Sequence, residues 1–391
     1  MKSEEAWDFS FKPFIVIWEA TRACLLACRH CRAEAITRRH PRELTTDEVF
    51  TLIDQIVDFG EPHPLFVITG GDPLMRSDIY RIIRYGSNRG LRVTISPSVT
   101  PLLTDDNLLR LKEAGISALA LSLDGSGEEI HDGFRGVEGV YERTLEVMRL
   151  MEVINLPLQV NTTVTRLNID DLPNIFRYIY DLNAMTWSVF FLVPTGRGKV
   201  EDEISPQEYE DVLNFIYDAF KYGVPVKTTE AQHFRRVTLQ RQEWEKRGVD
   251  HEGKMKLSQK YHELRTRLTT LMGDAPSRPA SRSFSTHRPS FSVNAGKGFI
   301  FISHVGDVYP SGFLPFKVGD IRMKSITEIY RGSTVLRELR DPSKLKSKCG
   351  KCDYRFVCGG SRSRTYALTG DYLEAERYCV YEPVTHSQID T

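Results

Sequence analysis

Seven cysteines carry the chemistry of this chain, and they fall in two tight groups: Cys24, Cys28 and Cys31 near the amino terminus, then Cys349, Cys352, Cys358 and Cys379. None lies between Cys31 and Cys349. A disulfide framework usually spreads its cysteines through a short secreted chain, so clustering of this kind points to metal. Thiolates are soft ligands that select zinc or iron–sulfur clusters, and four normally close a site. The first group, CxxxCxxC, supplies only three. A four-iron cluster held there keeps one iron open, which the amino and carboxylate groups of a bound molecule can chelate, an arrangement that allows inner-sphere electron transfer. A structural zinc completed by His30 is the alternative, although the neighbouring position of His30 on the chain suits closure poorly. The second group, CxxCxxxxxC followed by Cys379, has four thiolates and can close either a cluster or a zinc ribbon.

The elements that must position these groups are written in the apolar pattern. From Phe14 to about Leu192 short apolar runs alternate with amphipathic stretches, the signature of βα units repeated around a parallel sheet. The runs predict strands at 14–18, 65–69, 92–96, 118–123, 158–164 and 186–192. Six such units make an α/β partial barrel, too few for a closed eight-fold one. The first helix has start signals at Thr45 or Thr46, acids at Asp47 and Glu48 in its opening turn, and Phe50, Ile53, Ile56 and Val57 on one face. Further helices are predicted near 105–113, 141–151 and 172–182 and from about Pro206. Ligands of such sheets sit at the carboxyl ends of the strands, where the first cysteine loop begins. Residues 13–237 are therefore assigned to a partial barrel and its following helix. Residues 238–290, with SRPASRSFSTHRPS at 277–290, read as a basic Ser/Pro-rich insertion or linker. Residues 291–385, opened by the hairpin-like GFIFISHVGDVYPSG, form a small C-terminal domain carrying the second cysteine group.

The spacing of the first group, its place after a first strand and its surroundings, WEATRACLLACRHCRA, resemble the radical S-adenosylmethionine (SAM) superfamily, whose partial (β/α) barrel matches the six units. The resemblance implies a [4Fe-4S] cluster on Cys24, Cys28 and Cys31, SAM as oxidant, and a 5'-deoxyadenosyl radical that abstracts hydrogen. Thr69, Gly70, Gly71, Asp72 and Pro73 are similar to the family's Gly-Gly-Glu-Pro motif, which hydrogen-bonds the SAM amino group, with Asp in place of Glu. Two glycines there let the backbone approach the ligand. Ser122, Asp124 and Gly125 in LSLDG stand where similar enzymes bind ribose or line the substrate pocket, and His131, Asp132 and Arg135 follow in HDGFR. Asn161 and Thr163 end the fifth strand, and Val193 lies where adenine is usually contacted. No residue is singled out as catalytic. GDVYPSG followed by KCGKCDYRFVCGGSR looks like the SPASM/twitch extension of radical SAM maturases, which holds auxiliary [4Fe-4S] clusters. Further cysteines of a full SPASM domain fall at positions that look like Asn294, Ser311 and Arg362 here. The expectation is therefore two [4Fe-4S] clusters in all, one binding SAM and one auxiliary.

Within the superfamily the WEATRAC context looks closest to the haem-biosynthesis branch, whose substrates are tetrapyrroles with several carboxylates. Arg38, Arg39, His40 and Arg42, and His233, Arg235 and Arg236 in AQHFRR, are candidates to pair with them, since Arg binds carboxylates bidentately. A maturase of a ribosomally made peptide is the alternative; a non-catalytic iron–sulfur electron carrier would leave the SAM landmarks unexplained. A radical SAM enzyme also needs a reducing donor such as ferredoxin or flavodoxin. In 391 residues, 52 Lys plus Arg balance 52 Asp plus Glu, so no global field directs the chain to nucleic acid or a membrane surface. No apolar run approaches the roughly 18 residues of a spanning helix, and MKSEEAWDFSFKPF reads as neither signal nor transit peptide. The expected location is the cytoplasm.

Overall fold

A computed structural model describes residues 7–275 and 293–383. Strands β1 (Ile15–Glu19), β2 (Leu65–Thr69), β3 (Val93–Ile95), β4 (Ala118–Ser122), β5 (Leu158–Val164), β6 (Thr186–Phe191) and β7 (Val226–Thr229) are successive parallel neighbours. On the other edge of β1 lies β8 (Phe299–Ile302), also parallel, followed antiparallel by β9 (Asp307–Tyr309) and β10 (Gly319–Asp320). All six expected strands form. The seventh, β7, has the sequence VKTT with three half-buried residues, so no apolar run announces it. The GFIFISH hairpin also forms, and its β8 joins the barrel sheet. Its FIFI core is buried at three of four positions, as a strand covered on both faces must be. The amides of Phe14 and Ile15 both donate to the Gly298 carbonyl, at 2.9 and 3.0 Å, and start that pairing.

Alternation along the strands separates two faces. On β5, Leu158, Val160, Thr162 and Val164 are buried whereas Gln159, Asn161 and Thr163 are half-buried. The buried face meets the helices: Trp187 on β6 lies 5.5 Å from Phe176 and 6.4 Å from Phe215, and its indole N–H donates to Thr162 Oγ1 at 3.0 Å. The opposite face is the open lumen of the partial barrel.

Helix starts follow local rules. Thr45 Oγ1 accepts from the Glu48 amide at 3.3 Å and the Glu48 carboxylate accepts from the Thr45 amide at 2.8 Å, a capping box that begins the Thr46–Val57 helix and turns Val49, Leu52, Ile53 and Ile56 into the core. Ser205 and Glu208 do the same for Pro206–Phe220. The segment read as an insertion or linker is helical as far as the structure describes it: Phe234–Lys246, His251–Met255 and Gln259–Met272. The last packs on the Leu172–Asp181 and Pro206–Phe220 helices through Tyr261, Leu264 and Leu268. Only three of its fourteen residues are buried, so abundant Arg, Lys and Thr hide its apolar stripe. The Ser/Pro-rich stretch at 277–290 lies outside the described residues. Among the described residues no helix is long and apolar enough to cross a membrane.

Candidate functional site

The loop leaving β1 folds back on itself before the Thr46–Val57 helix. The Cys24 amide donates to the Ile36 carbonyl at 2.9 Å, Ile36 returns a bond to Arg22 at 3.0 Å, and Cys31 donates to Cys28 at 3.3 Å, so the three thiols share one closed stretch. Glu43 clamps its base, accepting from Thr21 Oγ1 at 2.5 Å and Arg39 Nε at 2.6 Å. The amides of Leu26 and Ala35 point at Cys24 and Cys31 Sγ, each at 3.4 Å, and Arg135 Nη1 lies 3.8 Å from Cys28 Sγ. Donors aimed at sulfur favour thiolate. Burial pushes the Cys24 thiol up, a penalty that a bound iron's charge removes. The donor set thus fits a cluster with three protein ligands.

β2 pairs with this loop beyond its own end. Ala20 donates to Thr69 O, Gly71 to Thr21 O and Asp72 to Ala23 O, each at 2.7 Å. A Cβ on Gly70 would lie 2.4 Å from Thr21 O, and one on Gly71 2.4 Å from Ala23 O. On this side the two glycines make room for the backbone of the cysteine loop. Gly71→Ala should displace that loop, so the purified variant is expected to lose about four irons while the C-terminal group stays loaded. A fully loaded variant would mean that the contact relaxes. Asp72 is turned inward, accepting from the Leu74 amide at 3.1 Å and Thr100 Oγ1 at 2.7 Å, and burial raises its pKa. Its carboxylate caps the Pro73–Met75 turn.

Asp124 is also spent within the protein. It is fully buried; one oxygen accepts from the Thr163 amide at 2.7 Å and the other is ion-paired with Arg135, while its own amide donates to His131 Nδ1 at 3.1 Å. Burial raises its pKa, but the Arg135 guanidinium brings the carboxyl below its ordinary value. Since Arg135 also reaches Cys28, and Ala27 and Arg29 donate to the carbonyls of Arg135 and Phe134 at 3.1 and 3.0 Å, this pair ties the end of β4 to the cysteine loop.

Thr69, Ser122, Asn161 and Thr163 are half-buried near the carboxyl ends of their strands, with Ser122 in register with Asn161. On β5 the alternation places Asn161 and Thr163 on the lumen face. Val193 is buried just past β6. Arg197 escaped the sequence reading. Its Nε and Nη2 are buried without a hydrogen-bond partner, its amide donates to Cys31 O at 3.0 Å, and a Cβ on Gly196 would come within 2.4 Å of Arg32 O. The ThrGlyArgGly loop after β6 was its only signal. His30 packs edge-on to Phe134 at 5.3 Å, and burial lowers its pKa to about 4.

The basic runs are largely committed elsewhere. Arg39 pairs with Glu43 and His40 meets His304 edge to face at 5.4 Å, leaving Arg38 and Arg42 exposed. Arg235 donates to Val357 O and Val293 O at 3.1 and 2.6 Å, and Arg236 pairs with Glu210. Arg235 of AQHFRR thus serves the junction with the C-terminal segment.

At that junction Cys349, Cys352, Cys358 and Cys379 line one cavity, partly open to solvent. Burial pushes the Cys358 thiol up to about 11 and Cys379 to about 12, so ionising them needs a compensating cation. Among the described residues no three His, Cys, Asp or Glu side chains gather closely enough for a single ion. Four thiols lining one cavity match the number of ligands that closes a four-iron cluster. The positions resembling lost SPASM cysteines hold loops together instead. Asn294 Nδ2 donates to Gly360 O at 2.9 Å, Arg362 Nη1 to Tyr372 O and Glu374 O at 2.9 and 2.8 Å, and Ser311 Oγ to Glu230 at 3.3 Å. Glu230 also accepts from Ser361 and Ser363, at 2.5 and 2.9 Å.

Two family models match this chain: the radical SAM superfamily over residues 18–179 and an iron–sulfur cluster-binding SPASM domain over residues 294–353. It is 39% identical to an AdoMet-dependent heme synthase of Methanosarcina barkeri, across 95% of this chain and 97% of that protein (AdoMet is SAM). A heme synthase of the same description from Oleidesulfovibrio alaskensis is 38% identical, across 94% of this chain and 87% of its own. Streptococcus suis SuiB bound to SAM has the same fold, with a TM-score of 0.68 at 14% identity over 95% of this chain and 78% of that one.

Proposed function

The chain belongs to the radical SAM superfamily and is an enzyme of [4Fe-4S] and SAM chemistry, and on that premise we propose that it oxidatively modifies a carboxylate-bearing tetrapyrrole, as a haem synthase does. The observation that carries the substrate class is the near-full-length likeness to heme synthases at 38–39% identity. When bound and reduced, the cluster on Cys24, Cys28 and Cys31 supplies the electron that cleaves SAM to a hydrogen-abstracting radical. The chain's own residues do the rest. The paired backbones at Gly70 and Gly71 hold the cysteine loop against β2, with Pro73 and Asp72 fixing the following turn. Arg135 orients Cys28. Thr69, Ser122, Asn161 and Thr163 offer hydrogen bonds to SAM along the strand ends, and Val193 gives adenine an apolar wall. Arg197, with two unpaired donors beside the cysteine loop, receives a substrate carboxylate. Cys349, Cys352, Cys358 and Cys379 hold the auxiliary cluster, and a ferredoxin or flavodoxin supplies electrons.

Titration of the anaerobic protein with iron-coproporphyrin III should shift the Soret band of the porphyrin and saturate near one equivalent. No shift, together with SAM-dependent modification of a peptide, would transfer the assignment to a peptide maturase.

A further inference from the structure

His233 is 1% exposed, and neither of its ring nitrogens has a hydrogen-bond partner. A buried imidazole with both nitrogens idle is rare, because each forfeits its bonds to water without replacement. The ring is not loose. It stacks on Tyr209, centroids 5.9 Å apart and 23° from parallel, at the start of the Phe234–Lys246 helix. It lines the same cavity as Cys349, Cys352, Cys358 and Cys379, beside Arg236 and Lys348.

The two cations have other duties. Arg236 turns both Nη atoms to Glu210 and Gln240, and Lys348 Nζ donates to Cys379 O at 2.5 Å and to Glu382 at 3.1 Å. Arg236 keeps only its Nε unpartnered, whereas the imidazole has both ring nitrogens in reserve. Burial first, then Arg236, Arg364 and Lys348, hold it well below its ordinary pKa; neutral or charged, the ring has at least one N–H to give.

We propose that His233 donates a hydrogen bond to the auxiliary cluster in this cavity and thereby raises the cluster's reduction potential. The proposal rests on the reading of the four cysteines as a cluster site. Four thiolates already close such a cluster, so His233 acts beside the ligands and not as one of them. A donor to a cluster sulfur stabilises the reduced, more negative state more than the oxidised one, which moves the potential upward.

His233→Phe keeps a ring for Tyr209 and removes the donor; His233→Gln keeps an N–H. Both are made in the full chain with Cys24, Cys28 and Cys31 changed to Ala, so that the auxiliary cluster alone is read in an EPR-monitored redox titration. The expected result is a lower midpoint potential for H233F at unchanged iron and sulfide, with H233Q returning toward the parent. Pulsed EPR of the reduced parent in H2O against D2O should show an exchangeable proton coupled to the cluster that H233F lacks. An unchanged midpoint in loaded H233F overturns the proposal. So does a parent without that proton, whatever the variants do, and so does equal iron loss from H233F and H233Q, which would make His233 necessary for holding the cluster. A parent with no auxiliary cluster signal overturns the cluster assignment itself.

Discussion

SAM cleavage should disappear when Cys24, Cys28 and Cys31 are replaced by alanine. Under anaerobic reduction the variant is expected to form no 5'-deoxyadenosine above background, whereas the wild-type protein converts SAM to 5'-deoxyadenosine and methionine. The three thiols lie on one short loop whose closure depends on the Cys24–Ile36 and Cys31–Cys28 backbone bonds, and no fourth cysteine is near them in the chain. Each single substitution should come close to the triple one, because a cluster left with two thiolates has no adequate ligand set. Iron should fall from about eight to about four per chain, the remainder being auxiliary. Undiminished 5'-deoxyadenosine from the triple variant would place the chemistry elsewhere.

The second large effect is the reciprocal one. Replacing Cys349, Cys352, Cys358 and Cys379 together by alanine should remove about four of about eight irons and leave the SAM-binding cluster in place. Two observations set that number. The four thiols line one cavity, and the places of the further SPASM cysteines are taken by Asn294, Ser311 and Arg362, all engaged in hydrogen bonds. The oxygen of Ser311, already donating to the buried Glu230, is in no position to stand in for a thiolate. A wild-type value near twelve, a variant that loses no iron, or zinc in place of iron would each contradict this reading.

What could be read from the sequence and what could not divides along a physical line. Strands β1 to β6 were legible because each is an apolar run between turn signals, and the Thr46–Val57 helix because Thr45 and Glu48 make a local capping box. β7 was not, since VKTT lacks such a run and forms a strand only by pairing with β6. The placement of β8 against β1 joins residues nearly three hundred apart, beyond any local pattern. The same holds within the site. The cysteines announced themselves by type and spacing, but the direction of a side chain is set by tertiary partners. Asp72 is turned inward by Thr100, and Asp124 by Thr163 and Arg135, partners that no local pattern announces. Arg197 is conspicuous only once Cys31 is seen beside it.

Radical SAM chemistry directed at a carboxylate-bearing tetrapyrrole can be followed in a single assay. Reduced, fully loaded protein is incubated anaerobically with SAM, with and without iron-coproporphyrin III, and both 5'-deoxyadenosine and the porphyrin are quantified by mass spectrometry. The porphyrin should raise 5'-deoxyadenosine formation above the basal rate and itself be converted to a new species in proportion. Formation of 5'-deoxyadenosine that ignores the porphyrin, with the porphyrin recovered intact, would contradict the substrate assignment; none under any condition from protein with both clusters would contradict the chemistry.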